Sequence, residues 1–308
     1  MFSQYFGHYL LNNGLLTAQQ LKHALDLQKT THVKFGVIAV DEGFLTSKQV
    51  EEIHEKQKQQ DKRFGEIAVD LGFLTNEQVD HMLSSQKSNH LYLAQAVVDQ
   101  NYLSIEEFTN ALNEYKKIHS LSDEKFEAIK SGDIDAIVES LIHTNHPEEE
   151  AYAEYVSLFV KNIVRFIDDE VYIEASEAKN VEAEWLVSQE ITGAKPFWTA
   201  IAADEKVFLE IASVFAEEEL TEADELAQAS VSEFLNLHNG IFLVNMSNKG
   251  TELEMKPQKV DHASAVSIHK ENSLCVSIHT SKGKFELLLS HSPENVRVSD
   301  KRKENQTV

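Results

Sequence analysis

A spacing of 29 residues governs the N-terminal part of this chain, and it leaves few folds open. Gly7, Gly36 and Gly65 stand one such interval apart, with Ala94 in the fourth place. Gly14, Gly43, Gly72 and Asn101 form a second column in the same register, and Thr17, Thr46, Thr75 and Ser104 a third. Three columns in one register over four copies are the mark of a structural repeat. Each copy then pairs its hydroxyl residue with an amide or acid three positions on: Thr17 with Gln20, Thr46 with Gln49, Thr75 with Gln78, Ser104 with Glu107. That pairing is a helix-opening capping box. Apolar residues follow at i, i+3 and i+4: Leu21, Ala24 and Leu25 in the first copy, Val79, Met82 and Leu83 in the third, Phe108, Ala111 and Leu112 in the fourth. The second copy has Val50 and Ile53 and then the polar His54. A short apolar segment such as Phe64–Asp70 precedes each box and ends at a residue suited to the left-handed region. Residues 1–115 are therefore expected to be an all-α helical array of four 29-residue repeats, each a helix, a tight turn and a second helix. The fourth copy, without glycines, is expected to cap the array.

Two copies read K-F-G-V-I-A-V-D-E-G-F-L-T, running on to Gln57, and R-F-G-E-I-A-V-D-L-G-F-L-T, running on to Gln86. From Tyr5 to Tyr115 the text resembles the N-terminal repeat domain of type II secretion and pilus ATPases, called MshEN in its cyclic di-GMP-binding form. The resemblance implies a ligand set of Lys34, Gly36, Gln57, Arg63, Gly65 and Gln86. An Arg fork beside accessible glycine backbone suits a guanine or a phosphate. The basic column reads Tyr5, Lys34, Arg63, Tyr92, so a positive charge survives only in the second and third copies. The same columns also read as close-packing glycines flanked by solvated basic residues. No phosphate-binding P-loop follows, so the regulatory repeat stands here without the motor.

Residues 116–148 carry apolar positions for two helices that break near Gly132 and end before Pro147, a helical connector. Residues 149–291 change character. A long amphipathic helix with Tyr152, Tyr155, Val156, Phe159, Val160, Ile163 and Val164 leads into strand text at V-Y-I-E-A, E-W-L-V-S-Q-E-I-T and F-W-T-A-I-A. Asp204 is placed to cap the next helix. The strand L-E-M-K precedes Pro257, and Ser281-Lys282-Gly283 joins two alternating runs as a hairpin. The expectation is an α+β domain, long helices on a mostly antiparallel sheet, followed by a disordered tail over 292–308.

Between those strands lies Thr221 to Gly240, with Thr221 as a helix N-cap and Gly240 as a C-terminal stop. Leu226, Ala227, Val231, Phe234, Leu235 and Leu237 fill the expected core face. Glu233 and Asn236, three apart, are neighbours on the other face beside Ala229 and Ser232, a carboxylate and an amide on a rigid element. The order of elements and the E-x-x-N on this helix resemble the chemotaxis phosphatase family that includes CheX and CheC, over about half the chain. The resemblance implies that Glu233 and Asn236 act on the aspartyl-phosphate of a CheY-like response regulator, with Asn236 orienting water and Glu233 pairing with a regulator Lys. Ala229 and Ser232 would line the contact, and Pro257 matches a downstream proline. Mg²⁺ would sit in the regulator's own acidic pocket, with no cofactor held by this chain. Ala229 stands where the family often has Asp or Ser, and the interval to Pro257 is slightly short. A single E-x-x-N matches the branch that forms homodimers, and an edge made by the last hairpin offers a contact for one. Two other readings stay open: a non-enzymatic adaptor that docks a partner through the same face, and a cyclic di-GMP effector.

Composition narrows the remainder. A formal charge of −23 argues against general nucleic-acid binding. No apolar run is long enough to span a membrane, no secretion signal opens the chain, and the single Cys275 fits a reducing compartment, so a cytoplasmic protein is expected. The 14 His include no zinc-protease spacing, and His262, His269, His279 and His291 are scattered through strand and loop text.

Overall fold

The computed structural model describes residues 2–85, 89–142, 149–176, 180–267, 273–291, 294 and 296–300. It divides into two compact units, Met1–Ile137 and Val138–Val308.

The first unit is helical: α1 (Phe2–Asn12), α2 (Ala18–Gln28), α3 (Phe35–Asp41), α4 (Ser47–Gln57), α5 (Phe64–Asp70), α6 (Asn76–Ser85), α7 (Asn89–Asp99), α8 (Ile105–Ile118) and α9 (Asp123–Ser131). A further helix, α10 (Ile134–Leu141), crosses the division. The turns after α1, α3, α5 and α7 use Gly14, Gly43, Gly72 and Asn101 at φ of 70°, 71°, 70° and 54°. Glycine takes this conformation without penalty, and Asn is among the few side chains that tolerate it. Every capping box forms. Thr17 Oγ1 accepts from Gln20 N at 3.3 Å while Thr17 N donates to Gln20 Oε1 at 2.9 Å, and the same reciprocal pair recurs at Thr46, Thr75 and Ser104.

The fourth copy, expected to cap the array, packs among the other helices. Its α7 packs against α1, α2 and α3, and its α8 against α1 and α3. The reason is the side chains of α7: Leu91, Leu93, Ala94, Ala96 and Val97 are all buried, and a helix apolar on most sides belongs inside. Phe6 of α1 meets Phe108 edge-on at 5.1 Å and Tyr115 at 5.8 Å. Leu83, expected inside, is exposed. The unit continues past Tyr115, because α9 packs on α1 and α7.

The second unit contains α11 (Glu149–Phe166), β1 (Tyr172–Ser176), β2 (Asn180–Gly193), β3 (Phe197–Ala203), α12 (Glu205–Ala216), α13 (Glu225–Asn248), β4 (Leu253–Met255), β5 (Lys259–Ser267), β6 (Ser273–Thr280), β7 (Gly283–Ser290) and β8 (Arg297–Asp300). The sheet is antiparallel in the order β1-β6-β7-β3-β2-β5-β8, with β4 also paired to β2. Both α12 and α13 lie over β2, and α11 packs on α13. Asp204 caps α12 as expected, accepting from Val207 N at 2.7 Å.

Four expectations are corrected here. Gly240 does not stop its helix: α13 runs eight residues further, to Asn248. Phe242 and Met246 are buried beyond it, with Phe242 edge-on to Tyr155 at 5.0 Å and Phe197 at 5.5 Å. Burying two such side chains is worth about 2–3 kcal/mol each, which outweighs the roughly 1 kcal/mol that an interior glycine costs. The N-cap is Asp224 rather than Thr221, because its Oδ1 accepts from Leu226 N at 3.0 Å and Ala227 N at 3.1 Å. The β6–β7 hairpin provides no edge, since β1 covers one side and β3 the other. Finally, residues 292–308 are not wholly a loose tail: β8 pairs with β5, while 301–308 lie outside the described residues.

Candidate functional site

The rotation of α13 is set by its apolar side. Ala227, Val231, Phe234 and Leu235 are buried, and the Phe234 ring lies 5.7 Å from Phe159 and 5.6 Å from Phe215. That leaves Glu233 exposed and Asn236 half-buried. The two side chains meet, Asn236 Nδ2 donating to Glu233 Oε2 at 3.3 Å.

Behind Asn236 stands a residue outside the expected site set. Gln189 of β2, 2% exposed, donates from Nε2 to Asn236 Oδ1 at 3.1 Å and to the Lys256 carbonyl at 2.9 Å. Its Oε1 accepts from Asn239 Nδ2 at 2.7 Å. Asn239 Oδ1 in turn accepts from Tyr155 OH at 2.5 Å, and Tyr155 OH lies 2.8 Å from Thr199 Oγ1. A continuous polar chain thus runs from the surface pair into the core, every member hydrogen-bonded. Buried networks of this kind rigidify when fully satisfied. Burial holds the Tyr155 hydroxyl well above its usual pKa, so it stays a donor. One signal for Gln189 was present. Strand alternation puts it on the same face as Val187 and Ile191, both fully buried, so a polar residue between them needs partners.

Pro257 is exposed, yet it touches this arrangement through the preceding residue. A residue before proline is confined to extended conformations, and Lys256 N donates to Glu190 O at 2.9 Å. The Lys256 carbonyl is therefore fixed where Gln189 meets it. Ala229 is exposed, and Ser232 Oγ donates to Gln228 O at 2.7 Å within the helix.

Leu226 corrects a further expectation: it faces solvent at 47% exposure, about 120° around the helix from the middle of the buried arc. At 100° per residue, Leu226, Ala229, Glu233, Asn236, Gly240 and Val244 share an arc of about 80°. Val244 is 60% exposed, and Met255 Cε, next to Gly240 on β4, belongs to a side chain 37% exposed. A polar pair with small neighbours and apolar ends occupies one face of one helix.

The described ligand residues expected in the first unit lie on or beside α3, α4 and α5, and the Phe35 and Phe64 rings that follow Lys34 and Arg63 stand 6.0 Å apart. Lys34 Nζ pairs with Asp99 Oδ1 at 2.6 Å, and Lys34 N donates to Gln95 Oε1 at 2.9 Å. Arg63 is exposed, with its backbone N donating to Glu66 Oε2 at 2.8 Å. Gln57 Nε2 donates to Lys62 O at 3.3 Å, one residue from Arg63. A Cβ at Gly36 would fall 2.7 Å from Val50 Cγ1, and at Gly65 3.1 Å from Val79 Cγ1, so both glycines let paired helices lie close. Gln86 lies outside the described residues. Among the described residues no group of three or more His, Cys, Asp or Glu is arranged to hold a metal ion, and no helix is long and apolar enough to cross a membrane.

No family model matches the chain, and no curated protein matches it. Solved structures do. A chemotaxis protein CheX from Desulfovibrio desulfuricans is similar at 13% identity, covering 46% of this chain and 97% of its own, with a TM-score of 0.38. CheX from Vibrio vulnificus is similar at 17% identity over 44% of this chain and 98% of its own, TM-score 0.38. A CheX–CheY–BeF3–Mg²⁺ complex from Borrelia burgdorferi is similar at 18% identity over 46% of this chain and 95% of that one, TM-score 0.35. These are likenesses of fold over less than half of the chain.

Proposed function

We propose that the second unit removes the phosphoryl group from the aspartyl-phosphate of a CheY-like response regulator, with Asn236 orienting the attacking water and Glu233 engaging a regulator Lys. The observation that carries this reading is the paired Glu233 and Asn236 on a rigid helix, with the Asn236 amide braced from behind by a buried strand residue. Hydrolysis of an acyl phosphate needs a positioned water and charge stabilisation more than covalent chemistry from the protein. Water attacks phosphorus in line, the bond from phosphorus to the aspartyl oxygen breaks, and the regulator's carboxylate and inorganic phosphate leave with the water proton on phosphate or in solvent. On this reading Mg²⁺ bound in the regulator's acidic pocket would stabilise the charge on the transferred group, and this chain would need no cofactor of its own.

The test is loss of aspartyl-phosphate from a panel of phosphorylated response regulators, with wild-type chain and with Asn236→Ala. Acceleration by the wild type that falls about a hundredfold in the variant, with regulator binding retained, is the expected outcome. No acceleration across the panel sinks it. The adaptor reading then takes over, favoured by the exposed Leu226, Val244 and Met255 around the pair.

The first unit, read as four copies of one helical pair of the MshEN type, is the proposed regulatory module. Its four left-handed turns and four capping boxes support that reading. Cyclic di-GMP and a protein partner are the alternatives for its ligand. Equilibrium binding of cyclic di-GMP to the full chain separates them, and Arg63→Ala is expected to weaken any such binding. A homodimer through the second unit is the proposed assembly; among the described residues the outer strands of the sheet are β1 and β8, and sedimentation of the full chain tests it.

A further inference from the structure

We propose that Gln189 is a positioning residue that sets the orientation of the Asn236 amide, using the Lys256 carbonyl as its fixed reference. The inference rests on the phosphatase reading only for its kinetic consequence. A backbone carbonyl accepts and never donates. The Gln189 atom 2.9 Å from Lys256 O must therefore be Nε2, which also faces Asn236 at 3.1 Å. Both hydrogens of that nitrogen are then used, so the facing Asn236 atom must be Oδ1, and Nδ2 must turn toward Glu233, where a carboxylate waits at 3.3 Å. The other end of Gln189 agrees: its Oε1 takes a hydrogen from Asn239 Nδ2 at 2.7 Å, which aims Asn239 Oδ1 at the Tyr155 hydroxyl. One carbonyl thus fixes three side-chain amides in turn. The outer edge of Asn236 is left with one N–H and one Oδ1 lone pair, a donor and an acceptor in a set order for a water molecule. Lys256 is held by its own hydrogen bond to Glu190 and by Pro257, which ties the downstream proline to Asn236 through a single side chain.

Two substitutions separate positioning from packing. Gln189→Met keeps the volume and removes both polar ends. Gln189→Glu keeps the shape but, once ionised, presents only acceptors to Asn236 Oδ1 and Lys256 O, so the Asn236 amide must turn over. In folded protein, confirmed by thermal unfolding, both are expected to lower turnover about a hundredfold, with the half-saturating regulator concentration within about threefold of wild type. The ratio of Gln189→Glu to wild-type turnover is expected to rise as pH falls, because the protonated carboxyl can again donate to Asn236; Gln189→Met shows no such rise. Wild-type turnover in both folded variants, or a loss carried by regulator binding alone, overturns the proposal. A wild type inactive on every regulator instead removes the phosphatase reading, and the amide orientation is then decided by NMR. There, nuclear Overhauser contacts from the Asn236 side-chain NH2 to Glu233 Hγ, and slow solvent exchange of the Gln189 NH2, are expected in wild type. In Gln189→Met the Asn236 contacts are expected to disappear. Rapid exchange of the Gln189 NH2, or Asn236 contacts unchanged by Gln189→Met, overturns the proposal on its own.

Discussion

His238 lies two residues beyond Asn236 on α13 and is fully buried. Its Nδ1 lies 3.0 Å from Asn162 Nδ2, an obligate donor, so the ring proton belongs on Nε2, which has no hydrogen-bond partner among the described residues. The rings of Tyr155 and Phe159 stand edge-on at 4.4 and 5.0 Å. Burial lowers its pKa from 6.5 to about 3. The unfolded chain therefore takes up a proton that the folded chain refuses between those two values, and stability is lost as pH falls below about 6.5. Each pH unit costs about 1.4 kcal/mol, or about 2 kcal/mol between pH 6.5 and 5. Denaturant unfolding at these two pH values, for wild type and His238→Leu, checks this: the variant is expected to lose that part of the slope whatever its absolute stability. Equal slopes would mean that the imidazole is charged inside the fold.

At the scale of elements, α13 shows where local text suffices and where it does not. The four capping boxes of the first unit were legible because a box is made of residues three apart, and Thr17, Thr46, Thr75 and Ser104 carry their partners with them. The Glu233–Asn236 pair was legible for the same reason. The extent of α13 was not, because Gly240 is a local signal overridden by Phe242 and Met246, whose partners Tyr155 and Phe197 come from elsewhere in the chain. Nor was β5, whose polar text K-V-D-H-A-S-A-V-S becomes a strand by pairing with β2 and β8. The role of Gln189 is not legible locally, because its partners are 47, 50 and 67 residues away. If α13 is continuous through Gly240, then Gly240→Ala is expected to stabilise the second unit by about 0.5–1 kcal/mol, since the nearest atom to the new Cβ is the mobile Met255 Cε at 3.9 Å. Chemical denaturation measures it, and a loss of stability would mean that the helix needs glycine's freedom to bend there.

For the whole molecule, the question is whether two units with separate cores act as one. The first is built around Phe2, Phe6, Phe108 and Tyr115, the second around Phe159, Phe234 and the buried strands β3 and β7. Separate cores predict separate cooperative transitions on heating. Gly36→Ala forces a Cβ to within 2.7 Å of Val50 Cγ1 and is expected to cost about 1–3 kcal/mol, lowering one transition by roughly 5–10 °C and leaving the other in place. His238→Leu is expected to move only the other. Against that pair of markers, regulation becomes measurable. A ligand that binds the first unit raises its transition, by about 2.7 kcal/mol at a hundredfold excess over its dissociation constant. If the first unit controls the second, the coupling free energy must also appear in the second transition, because linkage is reciprocal. If cyclic di-GMP is that ligand, calorimetry of the full chain at a saturating concentration raises the transition marked by Gly36→Ala. Movement of the transition marked by His238→Leu in the same experiment is the signature of communication, and its absence assigns the repeats to localisation or partner recruitment instead.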